Sequence, residues 1–168
     1  LHRCFFSYSS CYIAGNAMIE TALMCLALNI YFEARSEPIQ GQIAIAEVTL
    51  NRVASSKYPN DVCSVVLQEN KDGCQFSWWC DGKSDHPREH NSLRTSKALA
   101  ELMLKEGRYI TVIGDDATHY HNNDVYPYWA DDLDRIRRIG KHIFYKTKDN
   151  DVWLRPLPRP KSITELKR

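Results

Sequence analysis

Residues 18–35 read Met18-Ile19-Glu20-Thr21-Ala22-Leu23-Met24-Cys25-Leu26-Ala27-Leu28-Asn29-Ile30-Tyr31-Phe32-Glu33-Ala34-Arg35. Apolar side chains at Ile19, Ala22, Leu23, Leu26, Ala27 and Ile30 recur at helical period, which predicts a helix of about four turns with one buried face. The pattern runs out over residues 31–35. Ser36-Glu37-Pro38 then signals a second helix, proline being tolerated in a first turn. Ile39, Ile43, Ala46, Leu50 and Val53 supply its apolar face. Tyr58-Pro59-Asn60 interrupts, and Asn60 is a candidate cap for a short helix running to Leu67. Upstream, residues 1–17 mix Cys, Phe, Ser and Tyr without period and lack the long apolar run of an export signal. They are read as an extension outside the core.

Downstream, residues 68–91 hold Gly, Asp, Lys and aromatics without period, a loop long enough to suggest a functional role. Ser92 opens another helix to Leu104, closed by Gly107. Residues 109–113 and 117–121 read as short strands, and 135–145 as a strand or hairpin arm. From Arg155, three prolines among basic residues predict an extended, solvated tail. The expected fold is α+β: one helix-dominated domain over residues 18–154 with a small antiparallel sheet, followed by the basic tail 155–168.

With 168 residues and 43% hydrophobic content, the chain suits one domain with a real core. No run of eighteen apolar residues offers a transmembrane helix. The net charge of +1 suggests no nucleic-acid partner, but it conceals a split. Residues 1–134 hold 11 Lys/Arg against 18 Asp/Glu; residues 135–168 hold 11 against 3. That is an acidic body with a basic last fifth. Cysteines lie at 4, 11, 25, 63, 74 and 80 without a CxxC pair, which removes the usual spacing of structural zinc and thioredoxin-type redox sites. Cys25, inside an apolar helix, reads as a small core residue. Cys63, Cys74 and Cys80 surround an aromatic loop and allow one disulfide in an oxidising compartment.

Glu33 is the first candidate for chemistry. It sits beside Tyr31 and Phe32 at a helix C-terminus, where the dipole disfavours a negative charge. Apolar surroundings raise a carboxyl pKa and suit it to general-acid work near neutral pH. The competing reading is an exposed last-turn glutamate. Glu37 fits helix capping, and Glu47 fits pairing with Arg52 or Asn51 inside the helix packing. The loop Gln75-Phe76-Ser77-Trp78-Trp79 combines amide, hydroxyl and indole groups suited to stacking and hydrogen-bonding a sugar, or to folding its own aromatics into the core. In Thr118-His119-Tyr120-His121, strand alternation places His119 and His121 on one face, as structural residues or as metal ligands. His86-Pro87-Arg88-Glu89-His90 matches an H-x-x-E-H zinc pattern, yet Pro87 and the lack of an apolar stripe argue against the helix that chemistry requires.

Several blocks together resemble the SleB-type cell wall hydrolases, the spore-cortex lytic enzymes and their bacterial and phage relatives. They are Ile30-Tyr31-Phe32-Glu33-Ala34-Arg35-Ser36-Glu37-Pro38, Gly41-Gln42, Leu50-Asn51-Arg52-Val53, Cys74-Gln75-Phe76-Ser77-Trp78 and Ala117-Thr118-His119-Tyr120-His121. Pro127-Tyr128-Trp129 and Ile139-Gly140-Lys141-His142-Ile143-Phe144-Tyr145 complete the set. The likeness covers about residues 20–146, departing at Ser36, where the family usually has Gly. It implies a lysozyme- or lytic-transglycosylase-like cleft that cuts peptidoglycan between N-acetylmuramic acid and N-acetylglucosamine, with Glu33 as acid and then base. Under that reading Gln75, Phe76, Ser77, Trp78, Thr118, His119, Tyr120 and Tyr128 contact substrate, with no metal or cofactor. A monomer is expected, acting at the bacterial wall and held to its anionic surface by the basic C-terminal segment. The source is either a phage endolysin released through a holin or a bacterial remodelling enzyme. The alternatives are a hydrolytic muramidase, a zinc peptidase or amidase using His86 and His90 or the 119/121 pair, and a non-catalytic peptidoglycan-binding module.

Overall fold

Helix α1 (Ala22–Ala34) is capped by Thr21, whose hydroxyl accepts from the Met24 amide at 3.2 Å. The computed structural model describes residues 21–71 and 73–148. The extension 1–17 and the tail 155–168 lie outside them. An amphipathic α1 was expected, but every residue from Cys25 to Tyr31 is buried. The cause is its central position: α1 packs against α2 (Ile39–Ala54), α3 (Val62–Val66) and α4 (His90–Glu106) together. Its polar Asn29 is accommodated by partners, donating to Thr49 Oγ1 at 3.1 Å and accepting from the Trp78 indole N–H at 3.0 Å. The cap of α3 is Asp61, one residue later than expected, accepting from the Ser64 amide at 2.8 Å. Helix α4 starts at His90, two residues before the expected Ser92.

The loop between α3 and α4 contains a minimal hairpin, β1 (Glu69–Asn70) with β2 (Gly73–Cys74), and a short 3-10 turn over Ser77–Trp79. Two disulfides staple this region. Cys25 is not a lone core thiol: it bonds Cys63, joining α1 to α3, while Cys74 bonds Cys80 across the aromatic turn. The single bridge expected among Cys63, Cys74 and Cys80 is therefore one of two, and no cysteine of the three is left over.

Strands β3 (Ala117–Asn122), β4 (Asp134–Ile139) and β5 (His142–Lys146) form an antiparallel sheet with β5 in the middle. One face packs on α2 through Ala44, Ile45, Val48, Ala117 and Phe144. A further strand over residues 109–113 was expected, and none forms. There the chain makes a 3-10 turn over Gly107–Tyr109 and then wraps the Glu47 carboxylate. Glu47 accepts from Thr111 Oγ1 (2.5 Å) and from the amides of Val112 (2.9 Å), Ile113 (3.2 Å) and Gly114 (3.1 Å). A buried carboxylate thus supplies the acceptors that a neighbouring strand would have offered. Its expected partners on α2 act in parallel. Asn51 Nδ2 donates to the carbonyls of Gly114 (2.8 Å) and Ala117 (2.9 Å), and Arg52 Nε donates to Thr118 O (2.8 Å). Side chains of α2 thereby guide the chain into β3.

Glu37 does not cap α2. Its carboxylate accepts from the Lys141 amide at 2.9 Å in the β4–β5 turn. Gly140 there has φ 58°, and a Cβ at that position would collide with the Glu37 carboxylate.

Candidate active site

Glu33 lies in the last turn of α1, half-buried at a cleft of about 560 Å³. Phe32 and Trp78 form one apolar wall, stacked at 4.8 Å with an interplanar angle of 18°. Ser77 stands beside them, while Tyr120, Asn122 and His142 come from the sheet. The Tyr120 hydroxyl donates to Glu33 Oε2 at 2.8 Å. Burial pushes the Glu33 carboxyl above its usual range, opposed by the Tyr120 hydrogen bond and the Arg52 charge. Arg52 is itself buried between the rings of Tyr58 (5.3 Å) and Phe76 (5.1 Å). The result is a carboxyl that keeps its proton to higher pH while facing solvent-filled space.

Of the residues expected to contact substrate, Ser77, Trp78 and Tyr120 line the cleft with Glu33. The others do not. Phe76 is buried beneath Arg52, and Gln75, whose backbone N–H donates to the Gln68 carbonyl at 2.9 Å, is not part of the cleft lining. Thr118 is buried, its hydroxyl 2.9 Å from His119 Nδ1. Strand alternation turns His119 away from Tyr120 and onto Trp129, 5.4 Å between ring centroids. Burial lowers its pKa to about 4, reinforced by the charges of Arg52 and Lys57, so the ring is neutral at physiological pH. Tyr128 is 89% exposed and lies off the cleft lining.

The cleft also has residues that sequence reasoning missed. Asp81, Lys83, Ser84 and Asp85 form its outer lip, together with Arg35. They belong to the aperiodic loop, where no pattern marks which side chain points inward. The Asp85 carboxyl is raised by burial and then by the Asp81 charge, whereas hydrogen bonds from Lys83 lower that of Asp81. His142 shares the floor, its ring packed edge-on against Tyr120 at 5.2 Å.

The zinc-type pattern splits apart. His86 lies on the exposed loop, His90 begins α4, and Glu89 pairs with Arg35 at 2.7 Å. His121 has both ring nitrogens engaged, Nδ1 with Asn122 O and Nε2 with the Tyr145 hydroxyl, each at 2.9 Å.

A family model described as Cell Wall Hydrolase matches residues 36–145, about two thirds of the sequence. The chain belongs to the cell wall hydrolase family. This family member is 33% identical to a spore cortex-lytic enzyme of Bacillus subtilis over 71% of its own length and 35% of the relative's. A spore cortex-lytic enzyme of Bacillus cereus is 28% identical over 78% of this chain and 46% of the relative. The hydrolase chain thus spans less than half the length of these curated relatives. Two solved structures share its α+β fold. The catalytic domain of Bacillus cereus SleB superposes with a TM-score of 0.56 at 30% identity, covering 74% of this chain and 89% of that one. The catalytic domain of the germination-specific lytic transglycosylase SleB from Bacillus anthracis gives 0.58 at 30% identity, covering 78% and 98%. Glu33 stands three residues before the segment matched by the family model.

Proposed function

We propose that this cell wall hydrolase cleaves the glycan backbone of peptidoglycan between N-acetylmuramic acid and N-acetylglucosamine as a lytic transglycosylase. One observation carries the reading: Glu33, a carboxyl whose burial raises its pKa, stands between an aromatic wall and a tyrosine hydroxyl at the cleft. Glu33 gives its proton to the glycosidic oxygen as the C1–O bond breaks, and positive charge builds on the muramoyl ring. The Glu33 carboxylate, steadied by the Tyr120 hydroxyl and the Arg52 charge, then takes the proton of the muramoyl 6-hydroxyl as that oxygen bonds to C1. The product is a 1,6-anhydro sugar, no water is consumed, and Glu33 regains its proton. Phe32, backed by the buried Trp78, offers a sugar-stacking wall, while Ser77, Asn122 and His142 offer hydrogen-bonding groups.

A hydrolytic muramidase is the second reading, favoured by Asp81 and Asp85 on the same cleft as candidates for the second carboxylate that activating water requires. Mass spectrometry of digested sacculi decides: anhydromuropeptides support the transglycosylase, reducing-end muramic acid the muramidase. Glu33→Gln should lower turnover by about 10²–10⁴-fold; digestion of sacculi by this variant at the unmodified rate removes the assignment. The wall is the proposed site of action, as a phage endolysin or a bacterial remodelling enzyme. Residues 18–154 form the proposed catalytic unit, and the basic segment 155–168 docks it on anionic envelope polymers. Such attraction is screened over about 8–10 Å at physiological salt, so deleting 155–168 should weaken envelope binding at low salt and spare cleavage of a short soluble glycan.

A further inference from the structure

The sheet has a second face, turned away from the cleft, and it carries its own concavity. Register decides which residues reach it. Tyr120 pairs with Phe144 and points toward the helices; the flanking positions point outward. His121 pairs with Ile143, which pairs with Arg138, and His119 pairs with Tyr145, which pairs with Arg135. The outward row is aromatic in its middle and cationic along its β4 edge.

The segment after β3 folds over this face. Trp129 packs edge-on against Tyr145 at 5.6 Å and His121 at 5.8 Å. Beside it lies a cavity of about 470 Å³ lined by Tyr126, Asp131, Leu133, Arg135, Ile143 and Tyr145. The Tyr126 hydroxyl donates to Asp131 Oδ1 at 2.5 Å, leaving the ring 69% exposed. Six large hydrophobic side chains are exposed among the described residues, and three fall in one four-residue stretch: Val125 (58%), Tyr126 (69%) and Tyr128 (89%). Leaving such side chains in water is unfavourable, and their clustering in the segment that lines the cavity through Tyr126 and Asp131 marks a contact surface.

We infer that this outer face is a second, non-catalytic glycan site, taking a stretch of peptidoglycan strand away from the bond being cut. The inference rests on the reading of the cleft as glycan-cleaving. Exposed tyrosine rings present flat, weakly polar faces that stack on pyranose rings. Asp131 accepts from sugar hydroxyls, and Arg135 pairs with the carboxylates that muramoyl peptides carry, as does Arg138 farther along the edge. A recess that sets aromatic rings beside a few convergent polar groups suits a sugar, which presents both an apolar ring face and hydroxyls. Asp131 is exposed and already held by Tyr126, without the enclosure that surrounds Glu33. The face therefore binds without cutting.

The test uses the full chain carrying Glu33→Gln, so that binding is measured without turnover. Co-sedimentation with purified sacculi should weaken by roughly tenfold when Tyr126→Ala and Tyr128→Ala are added, two stacking contacts being lost. Arg135→Glu should weaken binding to sacculi and have little effect on binding to chitin, an N-acetylglucosamine polymer without carboxylates, where Arg135 has no anion to pair with. In the Glu33-intact chain, Tyr126→Ala should slow digestion of sacculi yet leave cleavage of a short soluble glycan unchanged. Unaltered sacculus binding by the double alanine variant, or no binding by its parent, overturns the outer-face site. An intact chain that fails to cut the short glycan instead overturns the reading of the cleft.

Discussion

At the scale of the residue, Glu33 pays for its position, and the cost is measurable. Its folded carboxyl titrates above the ordinary value because burial penalises the charge. Between the unfolded and folded pKa values the native state holds a proton that the unfolded chain has released, so stability falls as pH rises through that window. Glu33→Gln does not titrate. The variant should therefore melt above the unmodified protein at neutral pH, and the gap should close on acidification below the ordinary carboxylate range. Thermal melts across pH test this; a gap independent of pH contradicts it. Tyr120→Phe removes the donor that favours the charged form. It should raise the Glu33 pKa further and move the alkaline limb of the kcat/KM profile upward. An unmoved or lowered limb would mean that the hydroxyl does not govern this proton.

At the scale of the element, the helices were legible because each carries a helical repeat, and the α+β class followed from them. The misreadings have local causes. Residues 109–113 have a strand-like composition, but Glu47 takes their amide hydrogen bonds, and a side chain 64 or more positions away leaves no periodic trace. Strand β3 displays its alternation clearly. Both its faces are covered, however, so alternation alone could not say whether Tyr120 or His119 meets Glu33. The cleft lip was illegible for the opposite reason: residues 81–85 have no repeat at all. The two disulfides invite separate tests. Removing Cys25–Cys63, which closes a 38-residue separation between α1 and α3, should cost about 4 kcal/mol and lower Tm. Removing Cys74–Cys80, with a separation of 6, should cost about 2 kcal/mol. Because that bridge frames Ser77 and Trp78, Cys74→Ser/Cys80→Ser should lose more activity than its stability loss accounts for. Parallel melts and sacculus assays make the comparison, and an activity loss that merely tracks unfolding refutes it.

At the scale of the whole molecule, α1 and α2 form the support on which both the cleft and the sheet are built. Among the described residues no helix is long and apolar enough to cross a membrane. The acidic-body and basic-edge division seen in the sequence has a structural counterpart in β4, where Arg135, Arg137 and Arg138 are exposed on an edge strand. Charges there also discourage edge-to-edge pairing with another sheet.

The contact between Glu37 and the β4–β5 turn bears on how a polymer enters. Glu37 follows the helix that carries Glu33, and Lys141 precedes His142 on the opposite wall. The two walls are thus stitched together along one side, like the spine of a book. The exposed lip at residues 81–84 is the fore-edge, with no such stitch across to the sheet among the described hydrogen bonds. A strand laid in from that fore-edge need not be threaded by its end, so cutting should begin in the interior of long glycans. Size-exclusion analysis of early digests should then show chains of intermediate length, whereas a steady release of disaccharides from the outset would mean that only strand ends are admitted.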